Sequence, residues 1–216
     1  VQSDGGLIMA IISNGTTIAD AGSFSVGLGD MVLLKTTTIS SNTATVAFLH
    51  GSGGVVFNNT YPIYLVKIIN SHNDTDDKTI RYNFTTDGTN YNVAKTTTSF
   101  RATHYEGGGG DGEAIEYRTG ADLANSTNPQ VFAEPMGNAN DESGLGELWI
   151  FNPADTTFQK NFIAQFNHNA YQGKNENYFT QGYAQTTSAI TGVRFEMEGS
   201  TNIQSGIFKL YGLKDS

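Results

Sequence analysis

Ile80-Arg81-Tyr82-Asn83-Phe84-Thr85-Thr86, followed by Asp87-Gly88, is the stretch on which the fold class turns. Ile80, Tyr82 and Phe84 occupy every second position, with Arg81, Asn83 and Thr85 between them. A period of two puts each set on its own side of an extended chain. A helix of 3.6 residues per turn would scatter both sets around its circumference. The aromatic and β-branched residues favour strands for the same steric reasons, and Asp-Gly predicts a hairpin turn.

The same period recurs toward the C-terminus. Val193, Phe195 and Met197 alternate with Arg194, Glu196 and Glu198, and a Gly/Ser/Asn turn at 199–205 leads to a last strand. In that strand Phe208 and Leu210 share one face and Lys209 and Tyr211 the other. Further strands are expected at Met31–Thr38, Thr43–His50, Thr96–Tyr105, Ile115–Thr119, Glu147–Phe151 and Tyr178–Thr187. Phe158–Asn167 reads as a strand with Phe158, Phe162, Ala164 and Phe166 on one face, its pattern broken early by Lys160 and Asn161. Turn clusters interrupt these runs at short intervals, which places the chain in the all-β class as an antiparallel sandwich. The stretch from Gly120 to Gly146, with Pro129 and Pro135, reads as a long connection over one end. Gly107–Gly112 reads as a mobile hairpin tip.

Tyr61-Pro62-Ile63-Tyr64-Leu65-Val66-Lys67-Ile68-Ile69 is apolar on both faces. A strand of that kind belongs inside a sandwich or against a second subunit. Residues 1–30 read differently, as an arm with one or two short strands. A turn is expected at Ser13-Asn14-Gly15-Thr16, and Gly22, Gly27 and Gly29 break any long element. The division is an N-terminal arm, 1–30, and a β-sandwich domain, 31–216.

With 216 residues the chain can bury a full core in one domain. It has no cysteine, so disulfides and thiolate metal sites are excluded. The net charge is −9, and charged residues are 15% of the chain, against about 25% in an ordinary domain. Thr, Asn, Ser and Gly take their place. An acidic chain repels phosphates, so neither a nucleic-acid partner nor an anionic membrane surface is expected. No basic leader and no apolar run of spanning length occurs, so a soluble protein is expected.

No catalytic constellation emerges. His50, His72, His104 and His168 lack the spacing of a metal site. Asp74, Asp76 and Asp77 form an acidic knot that could hold calcium or simply shape a turn; it lacks the glycine and distant glutamate of an EF-hand loop. Glu196 and Glu198 share a strand face at a separation compatible with glycoside hydrolysis, but Arg194 beside them suggests charge balance. Gly107–Gly112 lacks the Lys-Ser/Thr of a phosphate loop, and no Gly-x-Ser-x-Gly elbow is present. The triplets at Asn14, Asn83 and Asn125 match a glycosylation pattern that a chain rich in Asn and Thr produces by chance. No enzyme activity, catalytic residue, metal or cofactor is expected.

Three stretches carry a resemblance: Tyr91-Asn92-Val93-Ala94-Lys95-Thr96-Thr97-Thr98-Ser99-Phe100-Arg101-Ala102-Thr103-His104, Gly137-Asn138-Ala139-Asn140-Asp141-Glu142-Ser143, and Ile203-Gln204-Ser205-Gly206-Ile207-Phe208-Lys209-Leu210-Tyr211-Gly212-Leu213. They resemble virion structural proteins of tailed, marine-type bacteriophages over residues 31–216. The resemblance implies a jelly-roll module on the phage particle surface and brings no catalytic residues. It implies a capsid decoration or cement protein acting through subunit contacts with itself and with major capsid or tail proteins. The alternative is a tail-fibre or receptor-binding module that recognises host surface glycans. The two-faced strand at Tyr61–Ile69 and the apolar pieces of the arm point to a homo-oligomer; a trimer is what the resemblance implies.

Overall fold

The computed structural model describes residues 11–13, 16–20, 23–24, 30–107, 113–170 and 172–214. The structure is 58% β-strand, and no described residue lies in a helix, so the all-β class holds. Three short strands, β1 (Ile11–Ser13), β2 (Thr16–Asp20) and β3 (Ser23–Phe24), form an antiparallel sheet of their own. The arm thus holds three strands where one or two were expected. Ser13 pairs with Thr16 across the expected turn, whose Asn14 and Gly15 lie outside the described residues.

The other twelve strands form one antiparallel sheet. They are β4 (Met31–Ile39), β5 (Thr45–Leu49), β6 (Ile63–Asn73), β7 (Lys78–Thr85), β8 (Lys95–Tyr105) and β9 (Ala114–Tyr117), then β10 (Gln130–Met136), β11 (Gly144–Phe151), β12 (Lys160–Ala170), β13 (Lys174–Ala184), β14 (Gly192–Met197) and β15 (Ile203–Leu213). Their order is β4-β15-β6-β11-β12-β10-β7-β14-β5, with β13, β8 and β9 continuing outward from β12.

The link between β12 and β10 is one residue pair, Met136 with Ala170. By contrast β12 pairs with β13 without a break, from Lys160 opposite Ala184 to Ala170 opposite Lys174. The sheet folds over at that thin link. At its far end Thr43 bridges back to Ile203, so the sheet nearly closes into a barrel. The result is two layers, β4-β15-β6-β11-β12-β13-β8-β9 over β10-β7-β14-β5. Their aromatic rings meet between them. Phe162 lies 5.3 Å from Phe84 and 6.0 Å from Tyr82, Phe132 lies 4.9 Å from Phe166, and Phe195 lies 5.6 Å from Phe208. Such edge and tilted contacts add to the burial of large apolar surfaces.

Several expectations need correction. Asp87-Gly88 does turn, with Gly88 at φ +78°, but β7 and β8 do not pair: β7 lies between β10 and β14, and β8 between β13 and β9. The Asp87 carboxylate accepts from the Thr89 and Asn90 amides, and this local knot redirects the chain. The stretch from Gly120 to Gly146 is no plain connection. It contains β10, whose Phe132, Ala133 and Met136 are buried. Irregular register with β7 hides its alternation. Lys160 does not break β12; it lies on the buried face with Phe162, Ala164 and Phe166, while Phe158 is exposed. Its ammonium reaches the carbonyls of Phe158 and Thr186.

Both glycines of the Ser205–Gly212 ending have structural causes. Gly206 has φ +143°, where β15 shifts register against β6, and a Cβ there would approach the Ser71 backbone to 3.1 Å. At Gly212 a Cβ would lie 2.4 Å from the Tyr61 ring, which packs on the bare backbone.

Phe162→Ala should lower the unfolding free energy by about 3–5 kcal/mol. Urea titration should show an earlier midpoint with an unchanged slope.

Candidate functional site

The side chains that the sequence singled out for chemistry are engaged with one another. Glu196 pairs with Arg194 at 2.9 Å and Arg81 at 3.4 Å, and Arg194 also lies over the Tyr91 ring. Glu198 accepts from the Thr79 hydroxyl at 2.9 Å. Asp74 accepts from the Asn202 amide N–H, from the Asn202 and Asn42 side chains and from Thr75, and these donors hold its carboxyl below the usual range. Asp76 accepts from the Asn138 amide, and Asp77 occupies a left-handed position at φ 55°. The knot therefore ties three loops together. Among the described residues, no three His, Asp or Glu side chains converge as metal ligands. His50 accepts from the Phe57 amide, His72 donates to the Glu142 carbonyl, and His104 meets Glu113 at 2.9 Å. His168 is buried, and burial pulls its pKa down to about 4. In the loop Gly107–Gly112, residues 108–112 lie outside the described residues.

A different feature stands out on the outer face of the larger layer. The inward residues of β12 and β13 alternate with outward ones, and the outward set is uncharged. It reads Asn161, Ile163, Gln165, Asn167 and Asn169 on β12, and Asn175, Asn177, Phe179, Gln181 and Tyr183 on β13. The next strand continues it with Thr96, Thr98, Phe100 and Ala102, and charge enters only at its far end, where His104 meets Glu113. The register is unbroken across all three strands: Gln165 lies opposite Phe179, which lies opposite Phe100; Ile163 lies opposite Gln181, which lies opposite Thr98. Phe100 and Phe179 stack at 4.9 Å with their planes 14° apart, and Phe100 remains 42% exposed. Further along, Phe151, Ile163, Gln181, Tyr183, Thr96 and Thr98 border a depression of about 400 Å³.

Behind this face the layer is polar, which is unusual for an interior. Lys95 is fully buried and donates to Asn83 Oδ1 at 2.5 Å and to the Val93 carbonyl at 2.9 Å. Thr97 meets Gln130 at 2.9 Å, Ser99 meets Thr180 at 2.9 Å, and Arg101 donates to both oxygens of buried Glu176 at 3.1 Å. Tyr178 donates to the Glu134 carbonyl at 2.7 Å. Each of these groups can meet its partner in only one geometry, so the network fixes the positions of β8 and β13. Burial pushes the Glu176 carboxyl up while Arg101 opposes the shift, and burial lowers the Lys95 pKa to about 7.

The other half of the outer face, on β6, β15 and β4, is apolar toward Ile63, Leu213 and Met31 and is then crossed by a polar row, Glu147, Lys67, Lys209 and Thr36. Leu65 is buried between Trp149 and Tyr211 of its neighbouring strands. Around it Met31 is 48% exposed and Leu33 50% exposed, with Ile69 exposed further along. The two-sided apolar character of Tyr61–Ile69 holds except at Lys67: Tyr64, Val66 and Ile68 fill the core, and Ile63, Leu65 and Ile69 face outward together with Lys67, which pairs with Glu147. The amide face was missed in the sequence, although its signal is there. Asn161-x-Ile163-x-Gln165-x-Asn167-x-Asn169 is a period-two pattern of uncharged residues. Reading only its apolar phase conceals it. Compared with family models, with curated proteins and with solved structures, the chain matches none.

The buried lysine generates a pH prediction. Its folded pKa, about 7, lies below the unfolded value of 10.5. Between the two the unfolded chain holds more protons, so stability rises with pH in that window. Buried Tyr82 and Tyr178, whose pKa values are raised, reverse the trend above about pH 10. Urea unfolding should show a gain on the order of 3 kcal/mol between pH 7 and 9.5, and Lys95→Met should flatten it.

Proposed function

We propose that this chain is a non-enzymatic structural module of jelly-roll type, built to assemble with copies of itself on the surface of a tailed-phage particle. Strand order supports the jelly-roll reading. Set β8, β9, β12 and β13 aside, and eight strands remain in the sequence β4, β5, β6, β7, β10, β11, β14, β15. Their pairs β4·β15, β5·β14, β6·β11 and β7·β10 are those of one long hairpin, first with last and second with second-last. Rolling that hairpin adds β15·β6 and β14·β7, both of which occur. These pairings support a double Greek-key reading, the arrangement of jelly rolls, a group that includes viral capsid domains and also lectins.

The fold alone does not select a role. The observation that carries the assembly reading is the apolar end of the half-face on β6, β15 and β4, where Met31 and Leu33 are exposed beside Leu65 and Tyr211. It adjoins Asp30, whose carbonyl accepts from the Lys214 amide and anchors the point where the N-terminal segment joins the body. Contiguous apolar surface of this sort marks contact sites. A second copy removes it from water, and a closed trimer in a decoration or cement role on a capsid is what the resemblance to phage virion proteins adds.

Native mass spectrometry of the full chain at micromolar concentration should give a trimer. Leu33→Glu should weaken the assembly by about tenfold or more while leaving the CD spectrum unchanged. In purified particles the chain should be present at a fixed ratio to the major capsid protein. A monomer unaffected by Leu33→Glu would overturn the reading.

A further inference from the structure

We infer that the outer face of β12, β13 and β8 is a binding face for an uncharged polysaccharide, a site separate from the apolar end of β6, β15 and β4 and independent of the assembly reading. The first ground is its charge. The chain carries −9, and its other sheet surfaces are studded with ions: Arg81, Arg194 and Glu196 on the smaller layer, Lys67 and Glu147 on the neighbouring strands. Yet every outward position of β12 and β13 is uncharged, and amides dominate. Charged side chains are the ordinary means of keeping a sheet face wet, so their exclusion over two long strands calls for a ligand that charge would repel or fail to match.

The second ground is the chemistry of the amide. One planar end carries a carbonyl acceptor and two N–H donors. A sugar hydroxyl also donates and accepts, and neither group brings a charge to be stripped of water. Asn161, Gln181, Thr98 and the Tyr183 hydroxyl have no hydrogen-bond partner among the described residues, so they are available to a ligand. Asn167, by contrast, is held by Asn175 and the Glu176 carbonyl, which stiffens the far end of the strip.

The third ground is the spacing of the aromatic rings. Phe179 and Tyr183 lie on the same side of one strand, four residues and roughly 13 Å apart. Phe179 is backed by the stacked Phe100 ring, and Tyr183 borders the depression with Phe151 and Ile163. Between them stand the Gln181 amide and the Thr98 hydroxyl. Two apolar platforms with polar groups between them suit a chain of rings whose C–H faces are apolar and whose edges carry hydroxyls. They fit a short oligosaccharide stretch better than a single ring. The buried polar network and the unbroken strand register hold the face in place before binding, so little order has to be created on contact. Nucleic acid offers stacking bases too, but the face has no lysine or arginine to neutralise phosphates.

The test is affinity electrophoresis of the full-length protein through native gels containing dextran, laminarin, yeast mannan or galactan, with alginate as the anionic control, backed by an array of neutral glycans. Retardation is expected with at least one neutral glycan and not with alginate, and it should survive about 0.5 M salt because no ion pair is involved. Gln181→Glu, an exposed position that cannot upset the core, and Phe179→Ala should each weaken binding by about tenfold or more. Leu33→Glu should leave it unchanged even where it dissociates the oligomer, which separates failure of this site from failure of the assembly reading. The inference is overturned by no retardation with any neutral glycan, by a preference for alginate, or by binding that survives both substitutions. It is equally overturned if Gln181→Glu changes the native mass rather than sugar binding, which would make the face an interface between copies.

Discussion

Phe162, held against Tyr82 and Phe84 of the opposite layer, sets the phase of β12. Because side chains alternate, placing Phe162 inward also places Asn161, Ile163 and Gln165 outward. The unbroken register then carries that phase into β13 and β8: Phe162 opposite Gly182, Gly182 opposite Thr97. A slip of one residue would bring the amides into the core and the aromatics to the surface. Buried amides without partners cost free energy that no packing at that position could offset. The inner contact and the outer face are therefore one constraint seen from two sides. Gly182 belongs to it: a Cβ there would come within 2.3 Å of the Thr96 carbonyl, so the strands approach more closely at this row than a side chain permits.

The interior behind the extension differs from the aromatic core between the layers. Lys95, Glu176 and Gln130 are buried as deeply as the phenylalanines. Burying such groups is unfavourable unless partners meet them, and here each has at least one: Asn83 and Val93 for the lysine, Arg101 for Glu176, Thr97 and Ala121 for Gln130. An apolar filling would give equal or greater stability with less definition. The polar filling makes the position of β8 relative to β13 depend on specific pairs, which suits strands whose outward side chains must keep a fixed spacing.

The strands were legible in the sequence wherever one face is apolar and the other is not. Ile80–Phe84 and Val193–Met197 show this, and both lie in the smaller layer, where Arg81, Arg194 and Glu196 are partly exposed on the second face and Asn83 is buried among polar partners. Legibility failed where that contrast weakens. β10 bulges against β7, so Val131, Phe132 and Ala133 do not alternate cleanly. Lys160 looked like an interruption because a lysine at a core position is rare, and only the carbonyls of Phe158 and Thr186, 26 residues away in the second case, explain it. The hairpin expected at Asp87-Gly88 failed for a different reason: local chemistry can specify a turn, but which strands pair after it depends on contacts far along the chain. The amide face was present as a pattern and went unread because uncharged polar residues in this chain look like background.

Four strands, β8, β9, β12 and β13, are unevenly placed in the sheet. All four join the same layer, beyond β11, and of the four only β12 pairs with the other layer, through Met136 and Ala170. β12 packs on the aromatic rings of β7 and β10, but on the inner side of β8 and β13 the opposite sheet supplies polar groups instead, Asn83, Gln130 and the Glu134 carbonyl. The connection 118–129 adds to this: Ser126 bridges Lys95 along the edge of β8, the Leu123 amide donates to the Thr97 hydroxyl, and the Ala121 carbonyl accepts from Gln130 of β10. Loops bring backbone carbonyls and amides with them, and buried backbone groups need polar partners. Together these account for lysine, threonine and serine on the inner side of β8, where an apolar layer opposite would have placed valine or phenylalanine. The polar interior and the uncharged outer face thus share an origin: an extension of one layer, lined inside by polar groups and loop and carrying outside a surface that the core strands did not need for stability.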